Sequence, residues 1–233
     1  MDAPIPTPGW LFTFRHVLNY ISSFGVIIPL AIGLWYWRTL SLPARIIVGY
    51  FGFWTVEAVA DRLSRTFLHT NMYLYHVSVL VETWLLGWAY YHVYDAKPVR
   101  KAMLPVGLLF TLVAVADATV ISGLHSLNAV ARAVQVALML AMILIYFEQW
   151  MREIRPESPW HNFMFIVSVG LAVYYAGSVM SYLLHPANGT LASAIMSVII
   201  DGSYIINLVL MTLGLWRETR QQSSTNYDSN IFA

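Results

Sequence analysis

Residues 102–124 read AMLPVGLLFTLVAVADATVISGL, an apolar run broken by one charged side chain, Asp117. A bilayer's hydrocarbon core of about 30 Å takes roughly 20 such residues in an α-helix. The stretch therefore predicts a membrane-crossing helix with an acid inside it. Six further stretches meet the same length, near 16–37, 43–66, 71–94, 126–149, 160–184 and 190–216. Together they predict one all-α domain over residues 1–220, a polytopic seven-transmembrane-helix bundle. A polar and disordered tail is expected at 221–233.

Composition points the same way. The chain is 58% hydrophobic and 11% charged, whereas soluble domains carry about 25% charged residues. With no cysteine in the chain, disulfides, thiolate metal ligands and thiol redox chemistry are excluded. A net charge of +1 offers no electrostatic case for nucleic acid. Met1–Pro8 has no basic region and no small-residue cleavage site follows it, so it is not read as a signal peptide.

Lys and Arg set the expected orientation. Arg38, Arg45, Lys97, Arg100, Lys101, Arg152, Arg155, Arg217 and Arg220 all fall on the side that holds the C-terminus, nine of the thirteen basic residues. This predicts N-terminus out and C-terminus in, with the protein integral to the plasma (cytoplasmic) membrane. Trp35, Tyr36, Trp37, Tyr90, Tyr91, Tyr94, Trp150, Trp160 and Trp216 form the matching aromatic belt on the inner side. Pro29 is expected to kink the first helix, and Pro105 to sit without consequence near the start of the fourth.

The acids inside these helices carry the functional signal. Glu57, Glu82, Asp117 and Asp201 each lie midway or further along a separate apolar stretch. Four carboxylates at that depth cost on the order of 10 kcal/mol unless they face inward and are paired or protonated. At 100° per residue, Asn71, Tyr75, Ser78 and Glu82 fall within about 60° of arc. The seventh stretch repeats the pattern with Ser193, Ser197, Asp201 and Tyr204, the sixth with Tyr174, Ser178, Ser181 and His185. The fifth carries Asn128, Arg132, Gln135, Met139, Met142 and Tyr146. The second places Glu57, Asp61, Arg65 and His69 at i, i+4 steps, where Asp61–Arg65 reads as a structural ion pair. The polar groups concentrate in the outer half, which predicts an outward-facing polar pocket over a closed apolar floor. The blander reading of Ser and Tyr stripes is interhelical hydrogen bonding.

Several chemistries fail on these residues. A retinal Schiff base needs a lysine on the seventh helix, and the only lysines are Lys97 and Lys101 in one inner connection. There is no HExxH and no pair of histidines at i, i+4, so no metal is expected, although His76 and Asp117 with a third group stay open as zinc ligands. His92, His125 and His161 read as interfacial. No cofactor is expected. Acid–base chemistry survives, because a neutral buried acid beside an ionised one can hold and pass a proton.

Leu42-Pro43 to Glu57, then Asn71-Met-Tyr-Leu-Tyr-His76 to Glu82, resembles an uncharacterised family of small bacterial seven-helix integral membrane proteins. The resemblance continues at Val169-Gly-Leu-Ala-Val-Tyr174, Gly177 and Ile206-Asn207. It implies that Glu57, Asn71, His76, Glu82 and Tyr174 belong to a family pattern. It also implies a sensory role beside a separate signalling protein, since some members accompany two-component proteins. A weaker similarity is to integral-membrane terpene cyclases, which implies Glu57 and Asp201 as protonating acids. Those enzymes place Trp directly before the Glu, whereas Trp54 stands three residues earlier.

Three functions are therefore expected in order. The first is a membrane sensor or binding protein for a small amphiphilic ligand, lipid or terpenoid, bound by Glu57, Tyr75, Glu82, Asp117, Arg132, Tyr174 and Asp201. The second is an acid–base enzyme, cyclase-like or lipid-modifying, with Glu57 and Asp201 catalytic. The third is a structural membrane subunit.

Overall fold

The computed structural model describes the backbone of residues 8–153, 158–184 and 190–231, and the side chains of 8–153, 158–179, 191 and 194–221. Arg155 and the side chains of Ser181, His185 and Ser193 lie outside the described residues. The chain is all-α, with no strand among those residues. Its helices are α1 (Gly9–Gly25), α2 (Ile27–Trp35), α3 (Leu42–Phe67), α4 (Met72–Tyr91), α5 (Lys97–Ala116), α6 (Ala129–Arg152), α7 (Phe163–Leu184) and α8 (Thr190–Ile231).

Local chemistry explains where these differ from the apolar runs. α1 starts at Gly9, directly after Pro8, well before the expected 16. α1 and α2 form one rod interrupted at Val26, because Pro29 has no N–H to give the Gly25 carbonyl. α5 begins at Lys97 with Pro98 in its first turn, where a missing N–H costs nothing. Pro105 therefore lies inside α5, not near its start, and removes the bond to the Lys101 carbonyl. The fourth stretch ends in a π-helical turn at Asp117–Ile121, closed by the Ser122 N–H donating to the Asp117 carbonyl at 2.9 Å. α8 stays helical to Ile231, past position 216, where its apolar run ends.

The helices pack around a closed circuit. α3 lies against α2 and α4, α4 against α6, α6 against α7, α7 against α8, and α8 against α2. α5 covers the α4–α6 seam and α1 covers α8. The tightest seam is α7–α8. A Cβ at Gly170 would stand 2.6 Å from Asn207 Oδ1, and one at Gly177 would run into Ser203. Small residues at these two points let the backbones approach. The main core joins Ile47, Phe51, Leu86, Met139, Leu171 and Met211. Tyrosines tie it across helices: Tyr90 OH meets Ser168 Oγ at 2.8 Å, and Tyr94 OH donates to the Met142 carbonyl at 2.6 Å.

One end of the bundle gathers the connections after α2, α4 and α6. Ser41 N–H donates to Glu218 at 3.4 Å, Gln149 Nε2 to Asp95 at 2.8 Å, and Arg217 to the Trp160 carbonyl at 2.7 Å. Among the described residues, four helical segments are long and apolar enough to cross a membrane: Gly9–Trp35, Lys97–Ile121, Ala129–Arg152 and Ala194–Gln221. The charges of α3 and the tyrosines and tryptophans of α4 lower the hydropathy of those two. Large apolar side chains point outward along α5, where Leu109 is 63% and Leu112 68% exposed. Such faces suit lipid far better than water.

Candidate functional site

The centre of the circuit is a polar cluster on Glu82, which is fully buried on α4. Each of its carboxylate oxygens receives two donors. Oε2 accepts from Arg132 Nη1 at 2.8 Å and Gln135 Nε2 at 3.0 Å, both on α6. Oε1 accepts from Tyr175 OH of α7 at 3.1 Å and from Tyr50 OH of α3 at 3.5 Å. All four acceptor positions of a carboxylate are thereby used. Removing such a group from water costs several kcal/mol, which only a charged partner with good geometry offsets. Arg132 is that partner.

Arg132 also joins the cluster to its rim. Its Nη1 donates to Gln135 Oε1 at 2.6 Å and its Nη2 to Tyr174 OH at 2.5 Å. Its side chain keeps 15% exposure while Glu82 has none, so the guanidinium is the accessible side of the pair. Tyr174 stacks edge-on against Tyr204 of α8 with centroids 5.5 Å apart. Tyr204 lies within electrostatic reach of both Glu82 and Glu57. Glu57, partly buried on α3, neighbours Ser78, Asp61 and Arg65. Glu82, Arg132, Gln135, Tyr50, Tyr175 and Tyr174 thus form one hydrogen-bonded cluster, with Tyr204 packed against Tyr174.

Glu57 lies beside Ser78, Asp61 and Arg65, while three of the seven expected ligand residues, Glu82, Arg132 and Tyr174, gather here through direct hydrogen bonds. Asp117 does not. Its Oδ1 accepts from Ser122 Oγ at 2.6 Å and its Oδ2 from the Ala131 N–H at 2.9 Å, so it caps the first turn of α6 from the preceding π turn. Asp201, partly buried on α8, neighbours Arg15 and Ser22 of α1 instead. Tyr75 is 37% exposed, and its backbone carbonyl accepts from Asn128 Nδ2 at 2.7 Å. Asp61 pairs with Arg65 at 3.0 Å and accepts from Asn71, fastening the α3–α4 turn. His76 is buried and meets the Ser126 carbonyl at 3.2 Å.

Tyr50, Gln135 and Tyr175 belong to the site and escaped the sequence reading as ligand groups. Tyr50 lies seven residues before Glu57, two turns along the same face. Gln135 stands three after Arg132 on the polar stripe already recognised. Tyr175 was hidden by its neighbour Tyr174, since adjacent residues point about 100° apart.

Two cavities lie elsewhere. One of about 540 Å³ is an apolar cleft between α4, α5 and α6. The other, about 940 Å³ and more polar, lies among the connections near Ser41, Asp95, His161 and Glu218. Neither is lined by Glu57, Glu82, Asp117, Arg132, Tyr174 or Asp201. No protein-family model, curated protein or solved structure matches this chain.

Proposed function

We propose that the chain is a multi-pass membrane protein of seven spanning rods, N-terminus out, that binds a small amphiphile at the accessible edge of the Glu82 cluster. The observation that carries this reading is the buried Glu82–Arg132 pair, with its carboxylate fully hydrogen-bonded and its arginine partly open. An ionisable pair at membrane depth is a functional site by default. Arg132 and Tyr174 hydrogen-bond the ligand's polar end, and Tyr204 and Glu57 border it. A ligand that draws Arg132 away from Glu82 would leave a buried acid short of donors, so binding couples to the packing of α4 against α6 and α7. That coupling suits a sensor read by a separate signalling protein. Glu57 and Asp201 share no neighbour among their described partners, so the reading does not use them as a catalytic pair.

The test is to purify the protein in mild detergent and identify co-purifying small molecules by native mass spectrometry. The unsubstituted protein should carry a saturable ligand that raises its melting temperature. Tyr174→Phe should lose that ligand while the apo melting temperature moves by only a few degrees. If no molecule is retained and Tyr174→Phe changes stability alone, the cluster is a packing device and the structural-subunit reading replaces this one.

A further inference from the structure

The cleft between α4, α5 and α6 is a second site, built from none of the cluster's side chains. Its walls are Thr83, Trp84, Trp88, Leu104, Leu138 and Met142, and it holds about 540 Å³, within the range of small-molecule sites. Glycine shapes it at two points. A Cβ at Gly87 would meet nothing within 4 Å, so the missing side chain there is empty cleft. Gly107 lets the Trp84 ring lie on α5, where a Cβ would stand 3.0 Å from it. Trp84 Nε1 then donates to Thr111 Oγ1 at 3.0 Å, which holds the ring in that place.

The opposite end has a different chemistry. Arg100 and Lys101, in the opening turns of α5, both line it. The Arg100 guanidinium is held 4.6 Å above the Tyr91 ring. Among the described residues, no acidic one lines the cleft. The result is an apolar slot with cations at one end.

We infer that this cleft seats one acyl chain of an anionic phospholipid, with the phosphate on Arg100 and Lys101. Two adjacent cations match a phosphodiester headgroup. The slot opens sideways between Trp84, Trp88 and Leu104, which are 38%, 51% and 60% exposed, so the lipid's second chain can stay in the bilayer.

Native mass spectrometry with added phosphatidylglycerol or phosphatidylcholine of the same chains tests this. The unsubstituted protein should retain one phosphatidylglycerol in preference to phosphatidylcholine by roughly twenty-five-fold, since each of the two surface cations contributes about fivefold. Gly87→Leu, whose Cβ would meet nothing within 4 Å and whose side chain would project into the slot, should lose the retained lipid at unchanged melting temperature. Arg100→Gln with Lys101→Gln should keep a lipid but lose the headgroup preference. Equal retention of the two lipids by the unsubstituted protein would overturn the inference. So would retention of free oleate in place of phosphatidylglycerol, unchanged lipid retention in Gly87→Leu, or a dimer of this chain that expels the lipid.

Discussion

Glu82 sits with no exposed surface among four donors, and only Arg132 among them brings a charge. Interhelical hydrogen bonds between neutral groups in membranes average about 0.6 kcal/mol, whereas removing one member of a buried ion pair costs about 3–5 kcal/mol. The two scales separate the roles in the cluster. Arg132→Met should destabilise the protein by about 3 kcal/mol or more, because Glu82 is left buried without a counter-charge. Tyr50→Phe, which removes the 3.5 Å contact, should cost under about 1 kcal/mol. Glu82→Met with Arg132→Met should recover part of the single-variant loss, a coupling readable as a double-mutant cycle in detergent unfolding. Strictly additive single losses would show that the pair is not the cluster's electrostatic centre. At this scale the sequence was half informative. Depth marked Glu82 and Arg132 as costly groups, but their pairing spans fifty positions and depends on which faces α4 and α6 turn to each other. Asp117 looked the same by depth, yet the π turn aims it at the α6 backbone, and no residue pattern announces a π turn.

At the scale of the helix, apolar runs located every rod because burying or lipidating a stretch of that length leaves few alternatives. Helix ends were less legible: Pro98 and Lys97 read as a connection although a first turn tolerates both. The α7–α8 seam shows what the runs could not show, namely which glycines touch a neighbour. Gly177 faces Ser203, whose Oγ is held to the Ile199 carbonyl at 2.7 Å and cannot simply swing away. Gly202, one residue before Ser203, would meet nothing within 4 Å if given a Cβ. Gly177→Ala should therefore cost about 1–3 kcal/mol through overpacking. Gly202→Ala should be neutral or stabilise by up to about 1 kcal/mol, through lower chain entropy in the unfolded state. Adding Ser203→Ala to Gly177→Ala should restore only part of the loss, because the Cβ of residue 203 would still stand 2.8 Å from the new methyl. Thermal unfolding of the four proteins in one detergent checks all three expectations, and equal effects at Gly177 and Gly202 would remove close approach as the basis of the seam.

For the molecule as a whole, orientation is the property that the fold and the charges argue together. The hydrogen bonds Ser41–Glu218, Gln149–Asp95 and Arg217–Trp160 bring the connections after α2, α4 and α6 to the C-terminal end of α8. Arg38, Lys97, Arg100, Lys101, Arg152, Arg217 and Arg220 belong to that same end, and the positive-inside bias acts on such residues close to helix ends. The opposite end carries Asp61–Arg65 and the Asn128–Tyr75 bond, with far fewer uncompensated cations. The basic end is therefore predicted to be cytoplasmic. The absence of cysteine in the chain makes the test clean, since any introduced thiol is the sole one. Ala96 and Ser126 lie in connections at opposite ends, between α4 and α5 and between α5 and α6. In intact cells a membrane-impermeant maleimide should label Ser126→Cys and spare Ala96→Cys, with Ala96→Cys becoming reactive only after permeabilisation. Labelling of both in intact cells would mean that α5 does not cross the bilayer. The inverse pattern would put Arg100 and Lys101 on the outer face, turning the lipid cleft toward the leaflet that is poorer in anionic phospholipid.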